Sequence, residues 1–262
     1  MNRATWITMG AVVSTMSMSV MAAPVAQRAS SDFVSTVPQI EGDTDPLNLG
    51  TWVDVSSGTT WPGVTLNGDG TFTITTPALG VAQYPAIGWN TEHGNFLSTD
   101  AGWTVEMRFR VDAANYANRG VFELYLRDND GENPLTTRVH ILANGIVRDS
   151  VSPGVNTEYA TDFTDGFHTI RITGRSAEGY EFGLTSVWID DVLVIDDQES
   201  SAYSDYEIVR IGRWGSQTGG GTITIDYIRL DTTGAYAPAV PEPASLALLG
   251  LGSLCALRRR RR

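Results

Sequence analysis

The 262-residue chain has no lysine, so all 18 of its basic residues are Arg. No chemistry forbids Lys at every site, and we read the absence as a coding bias. There is one cysteine, Cys255, which excludes an intramolecular disulfide and any Cys-rich metal centre. Charged residues make up only 18%, which argues against a coiled coil, while 42% hydrophobic residues exclude a disordered chain. The body lacks helical apolar spacing, and no internal repeat of solenoid or propeller length recurs. Positive charge is scarce where a nucleic acid would need it. With Arg3 and the Arg run 258–262 set aside, 12 Arg face 29 acids between residues 23 and 240, a net charge of −17. Phosphate backbones repel such a body, so no nucleic-acid partner is expected. Divalent cations are attracted to it.

What is present begins at the ends. Residues 1–22 combine Arg3, an uncharged Met-, Val- and Ala-rich middle and small residues Val20 and Ala22 before a cleavage point at Ala23. This is the three-part pattern of a secretory signal peptide. Residues 23–38 read as a linker, and so do 233–239. The C-terminus carries Pro241, Glu242 and Pro243, then an apolar run, then five Arg. The two prolines deny the backbone helix hydrogen bonds and keep Glu242 accessible. About 13 apolar residues would span roughly 20 Å as a helix, short of the ~30 Å hydrocarbon core. Long Arg side chains reaching outward cover part of that deficit. By the positive-inside rule the five terminal Arg stay cytoplasmic and leave the body outside.

Residues 240–262, with a transmembrane helix over 245–257, resemble the PEP-CTERM sorting signal of Gram-negative bacteria. The resemblance implies an exosortase-type processing enzyme as partner, and passage through the inner membrane during transit. It also implies a final location at the cell surface or in the extracellular matrix.

The body alternates with a period of two. Trp103, Val105, Met107, Phe109 and Val111 interleave with Thr104, Glu106, Arg108, Arg110 and Asp112. Phe122, Leu124 and Leu126 interleave with Glu123, Tyr125 and Arg127, and Val139 and Ile141 with Arg138 and His140. Turn signals at 67–70 and 143–145 separate short strands. The fold class is therefore all-β, an antiparallel β-sandwich over residues 39–232. Segments 103–111, 167–174, 187–196, 211–215 and 223–234 together resemble the concanavalin A-like lectin/glucanase superfamily, specifically its laminin-G-like members. The hairpin over 187–194, with Asp190-Asp191 in place of Asn-Gly, is the most telling piece.

A retaining glucanase of that superfamily needs two carboxylates about 5–5.5 Å apart. The resemblance implies a Glu-x-Asp-x-Glu strand, but the strand starting at Glu123 continues with Tyr125 and Arg127. Glucanase activity is not expected. Arg108, Arg110, Tyr125, Arg127, Arg138 and His140 form a candidate carbohydrate-binding set on one polar sheet face. Arg there could neutralise a uronate bidentately. Alginate-type lyases resemble this set in using Arg, His and Tyr, which would make His140 a base and Tyr125 an acid. The lyases' Gln-x-His strand is missing, so binding of extracellular polysaccharide without catalysis, or a structural role in the matrix, is the leading reading. A solvated face with Glu/Arg cross-strand pairs remains the plainer alternative.

The alternation slips at Asp226-Tyr227, which predicts a bulge. Residues 226–229 resemble the last strand of laminarinase-like glucanases. That likeness implies one structural Ca²⁺ held by Asp226 together with the Glu41-Gly42 region. Trp103 and His168 are in phase with core faces. Trp61, Trp89 and Trp214 lie in loop-like sequence where a sugar could stack.

Overall fold

Two-residue alternation gives each strand one apolar face, and those faces leave water only by packing against another sheet. In the computed structural model the described residues are 26–35, 39–50, 52–54, 56, 63–76, 86–89, 101–114, 120–128, 135–148, 157–176, 183–200, 208–212 and 220–239. The expected signal peptide over 1–22, the sorting signal over 240–262 with its expected helix, Trp61 and Trp214 lie outside them.

The strands are β1 (Ala26–Arg28), β2 (Ile40–Glu41), β3 (Trp52–Asp54), β4 (Thr65–Leu66), β5 (Phe72–Thr76) and β6 (Ala86–Trp89). They continue as β7 (Trp103–Ala114), β8 (Phe122–Asp128), β9 (Leu135–Leu142), β10 (Gly145–Arg148), β11 (Thr157–Ala160) and β12 (His168–Arg175). The last are β13 (Leu184–Ile189), β14 (Val192–Glu199), β15 (Ile208–Gly212), β16 (Gly221–Asp231) and β17 (Tyr236–Pro238). One sheet has the order β14-β13-β12-β7-β16-β5-β4, with β2 also on β16, and the other β11-β10-β9-β8-β15-β6-β3. Pairing within both sheets is antiparallel. Helical structure among the described residues is confined to two short 3-10 turns.

The core lies between the sheets. Trp103, Met107 and Phe109 of β7, Phe122 and Leu126 of β8, and Ile170 and Ile172 of β12 are all essentially inaccessible. Full burial of such side chains contributes about 1.5–3 kcal/mol each. Where the sheets meet near one end, Thr137 of β9 hydrogen-bonds Thr185 of β13 at 2.5 Å, and Thr185 bonds Ser200 at 2.7 Å. The hydroxyls thus satisfy one another in a site no water reaches. The expected slip at Asp226 is present, since the β16–β7 register shifts between Ile225 and Tyr227.

The hairpin between β13 and β14 turns through Asp190 and Asp191, at φ 49° and 65°. Both residues are left-handed, as a type I′ turn requires. Aspartate is tolerated at Asp190 because its carboxylate is used twice: it accepts from the Thr169 amide at 2.9 Å and meets His168 Nδ1 at 2.7 Å. The other ring nitrogen of His168 meets Asp165 at 2.8 Å, and its ring stands edge-on to buried Phe163. His168 therefore closes the rim of the core between two acids rather than sitting fully inside it.

The segments expected to be linkers are not detached from the body. β1 and β17 pair in parallel, Ala26 with Tyr236 and Arg28 with Pro238. Neither has the apolar alternation that marks a strand, because side chains hold them down. Arg28 bonds Asp231 and Thr233 at 2.5 and 2.9 Å and lies 3.8 Å over the Tyr236 ring. The pair lies across the outer face of the eight-stranded sheet, where Tyr236 N–H donates to Thr104 Oγ1 at 2.8 Å.

Burial works against the charged imidazolium of His168, but its hydrogen bonds to the Asp190 and Asp165 carboxylates outweigh it and hold the pKa above 6.5. A raised folded-state value means the contribution is complete below the unfolded-state value and fades as pH rises through the folded one. Urea unfolding of wild type and His168→Gln should show a gap that is widest below about pH 6.5 and narrows above it. A gap that stays constant across that range would contradict the pairing.

Candidate functional site

The chain passes from the eight-stranded sheet to the seven-stranded one between β7 and β8. That crossing divides the polar residues expected to form one face. Arg108 and Arg110 project from the outside of the eight-stranded sheet, whereas Tyr125, Arg138 and His140 project from the outside of the other. Five of the six candidate positions thus fall on two opposite faces. The sixth, Arg127, pairs through its backbone with Thr136 and Ile208, and its side chain is outside the described residues.

On the eight-stranded side each cation already has a carboxylate. Arg108 is ion-paired with Asp226, and Arg110 with Asp112 at 2.7 Å. Both guanidiniums lie over Phe167, at 4.9 and 5.2 Å from the ring centre. Deeper in, Glu106 and Arg171 form an ion pair with side-chain exposures of 3% and 4%. Tyr227 donates to Glu106 at 2.8 Å, and burial together with the neighbouring Glu106 charge pushes its pKa up to about 12. Arg171 also bonds the Arg28 carbonyl at 2.7 Å and lies under Phe33. The N-terminal segment thus covers Glu106 and Arg171, while Arg108 and Arg110 stay exposed but each is paired with its own carboxylate.

The Ca²⁺ expectation concerns the same side. Gly42 does pack against Asp226: a Cβ there would stand 2.6 Å from the Asp226 carbonyl and 2.1 Å from that of Gly70. The approach brings backbone oxygens together but no uncommitted carboxylate. Glu41 holds Arg229 bidentately at 2.9 and 3.0 Å, and Asp226 holds Arg108. Among the described residues no three His, Cys, Asp or Glu side chains come together as a metal group would require. A Ca²⁺ ion takes six to eight oxygens, so this donor set does not fit one.

The seven-stranded face carries the more coherent cluster. Two adjacent rungs build it. In one, Arg138 of β9, Tyr125 of β8 and Arg210 of β15 stand in register, with Gly88 of β6 next. In the other, His140, Glu123 and Gly212 stand in register. Glu123 is 1% exposed and reaches Arg138 Nε at 3.2 Å and His140 Nδ1 at 3.4 Å. The Tyr125 ring lies beneath two guanidiniums, Arg138 at 4.9 Å and Arg210 at 5.9 Å. The buried carboxylate and ring hold the cations from below, and the Arg138 side chain remains 31% exposed. Gly88 and Gly212 leave the strip beside Arg210 and Glu123 without side chains. Arg210 escaped the sequence reading because nothing in its own strand marks it. Only the β8–β15 register makes it a neighbour of Tyr125.

Glycosidase geometry is lacking on this face among the described residues. Glu158 of β11 lies on the His140–Glu123 rung by way of Val147. It is three strands from Glu123, about 14 Å at ordinary strand spacing. Even inverting enzymes need roughly 6.5–9.5 Å.

Residues 239–262 match the PEP-CTERM protein-sorting motif. The chain ends in a sorting signal. That signal implies export to the cell surface through a membrane-anchored intermediate and processing by an exosortase. Among the described residues no helix is long and apolar enough to cross a membrane.

Among curated proteins none matches the chain. In structure it is similar to a carbohydrate esterase from Shiga toxin-encoding bacteriophage phi24B. The TM-score is 0.54 at 16% identity, over 76% of this chain and 98% of that one. An endo-1,3-β-glucanase from Streptomyces sioyaensis gives 0.47 at 16% identity, over 80% and 98%. The carbohydrate recognition domain of Emp46p gives 0.47 at 12%, over 75% and 93%. The likeness is one of fold: the body is an antiparallel jelly-roll β-sandwich.

With both carboxylates committed to Arg, Ca²⁺ or EDTA should leave the thermal midpoint of the body unchanged. A ligand at 100 times its Kd would add about 2.7 kcal/mol, so a rise of several degrees with Ca²⁺ would contradict this assignment.

Proposed function

We propose that the exported body binds an acidic extracellular polysaccharide without turning it over, through the outer face of the seven-stranded sheet. The observation that carries this reading is the Arg138–Tyr125–Arg210 rung, with Glu123 fixing Arg138 from beneath. In a chain of net charge −12, this rung brings two guanidiniums over one tyrosine ring. Planar guanidiniums already held in place match a uronate carboxylate bidentately and lose little freedom on binding. The exported location supports a polysaccharide as the partner, since the surface and matrix are where such polymers are met.

The non-catalytic reading is supported by the described residues, among which Glu123 has no second carboxylate within glycosidase reach. A lyase is the second reading, favoured by one observation: His140 Nδ1 faces Glu123 Oε2 at 3.4 Å, on the rung next to Tyr125. That contact could orient His140 as a base.

A glycan array and a uronate-polymer lyase assay separate the readings. Arg138→Ala should lower affinity for a uronate polymer by about tenfold, as the loss of roughly 1.4 kcal/mol implies. No unsaturated product should form with wild type. Turnover that vanishes in His140→Ala would establish the lyase instead, and no binding to any glycan would leave a purely structural role.

A further inference from the structure

The sorting motif begins at Pro241, three residues past the end of β17 at Pro238. Enzymes that cut or transfer peptide chains commonly bind their substrate as an extended strand, through backbone hydrogen bonds on one edge. Upstream of the motif, that backbone is already occupied. One edge of β17 pairs with β1 from Ala26–Tyr236 to Arg28–Pro238. On its other contacts, Tyr236 N–H donates to Thr104 Oγ1 at 2.8 Å, and the Tyr236 carbonyl accepts from Arg171 at 3.5 Å. Pro238 has no N–H to offer. Only Ala239 and Val240 separate this locked strand from the motif.

Arg28 is the fastening. Its guanidinium bonds Asp231 and Thr233 and covers the Tyr236 ring, while its carbonyl accepts from Arg171 at 2.7 Å. All of these partners flank β17 or lie beneath it. The first residue of β1 is the fourth of the mature chain if the leader is cut before Ala23, so the strand that fastens β17 comes from the new N-terminus.

We propose that β1 is an autoinhibitory strand for removal of the C-terminal tail, which proceeds on chains whose β17 is released from β1. The cleavage breaks one peptide bond at or beyond the motif. The carbonyl carbon passes to water or an amine nucleophile, and the tail leaves as a peptide with a new protonated amino terminus. Docking of β1 thus sets the order of maturation: a chain that loses its tail before β1 docks is processed quickly, and one that docks first must reopen.

The test follows tail loss over time by intact mass in the exporting cell, using full-length chains. Gln27→Cys with Ala237→Cys, on a Cys255→Ser background, joins residues that are in register. The oxidised chain should lose its tail about tenfold more slowly, the factor that 1.4 kcal/mol of extra opening cost gives, and reductant should restore the rate. Arg28→Ala should process faster than wild type. A bridged chain processed at the wild-type rate overturns the proposal. So does an Arg28→Ala chain processed no faster, which decides the matter even if the bridge does not form.

Discussion

The molecule depends on one constraint: a β-strand sends alternate side chains to opposite sides, and only one side of each sheet can face the shared core. Once Trp103, Met107 and Phe109 of β7 and Phe122, Leu124 and Leu126 of β8 are committed inward, every polar neighbour must face outward. The two strands belong to different sheets, so outward means opposite directions. The body therefore has two polar faces that cannot cooperate in one site.

Those faces have taken different roles. On the eight-stranded side, β1 and β17 lie over the sheet and help remove Glu106 and Arg171 from water. A buried ion pair is tolerable only when its remaining polar atoms are also satisfied. Tyr227, the Arg28 carbonyl and the Tyr236 carbonyl do this. The face becomes an internal layer whose chemistry is structural. On the seven-stranded side the same ingredients, a buried Glu under Arg, support cations that reach the surface. The difference lies in how the guanidiniums are held: Arg171 is buried with its carboxylate, whereas Arg138 lies over the Tyr125 ring and is partly exposed.

Much of this was legible in the sequence, for identifiable reasons. Strand positions, the turns at 67–70, 143–145 and 190–191 and the bulge at Asp226 depend on local spacing and turn chemistry, which a single chain displays directly. The sorting signal was legible because each of its parts has its own physical requirement. Three features were not. Which sheet a strand joins is a long-range property, so Arg108 and Tyr125 looked like neighbours. The role of Arg210 depends on pairing between residues far apart in the chain. The docking of β1 and β17 is held by Arg28 and Tyr236 rather than by an apolar pattern, so its sequence reads as linker. The ion pairs of Asp226 with Arg108 and of Glu41 with Arg229 were likewise illegible, because each joins residues far apart in the chain.

The body that results is an acidic sandwich delivered to the cell surface, with an Arg–Tyr–Arg rung on one face and the β1–β17 pair fastened across the other. Its central claim concerns location, namely that recognition belongs to β8, β9 and β15 alone. Amide chemical-shift mapping of the body with a short oligouronate tests this most directly. Shifts confined to the strands bearing Tyr125, Arg138, His140 and Arg210 are the predicted result. Shifts centred on β7 and β12, around Arg108 and Arg110, would contradict it.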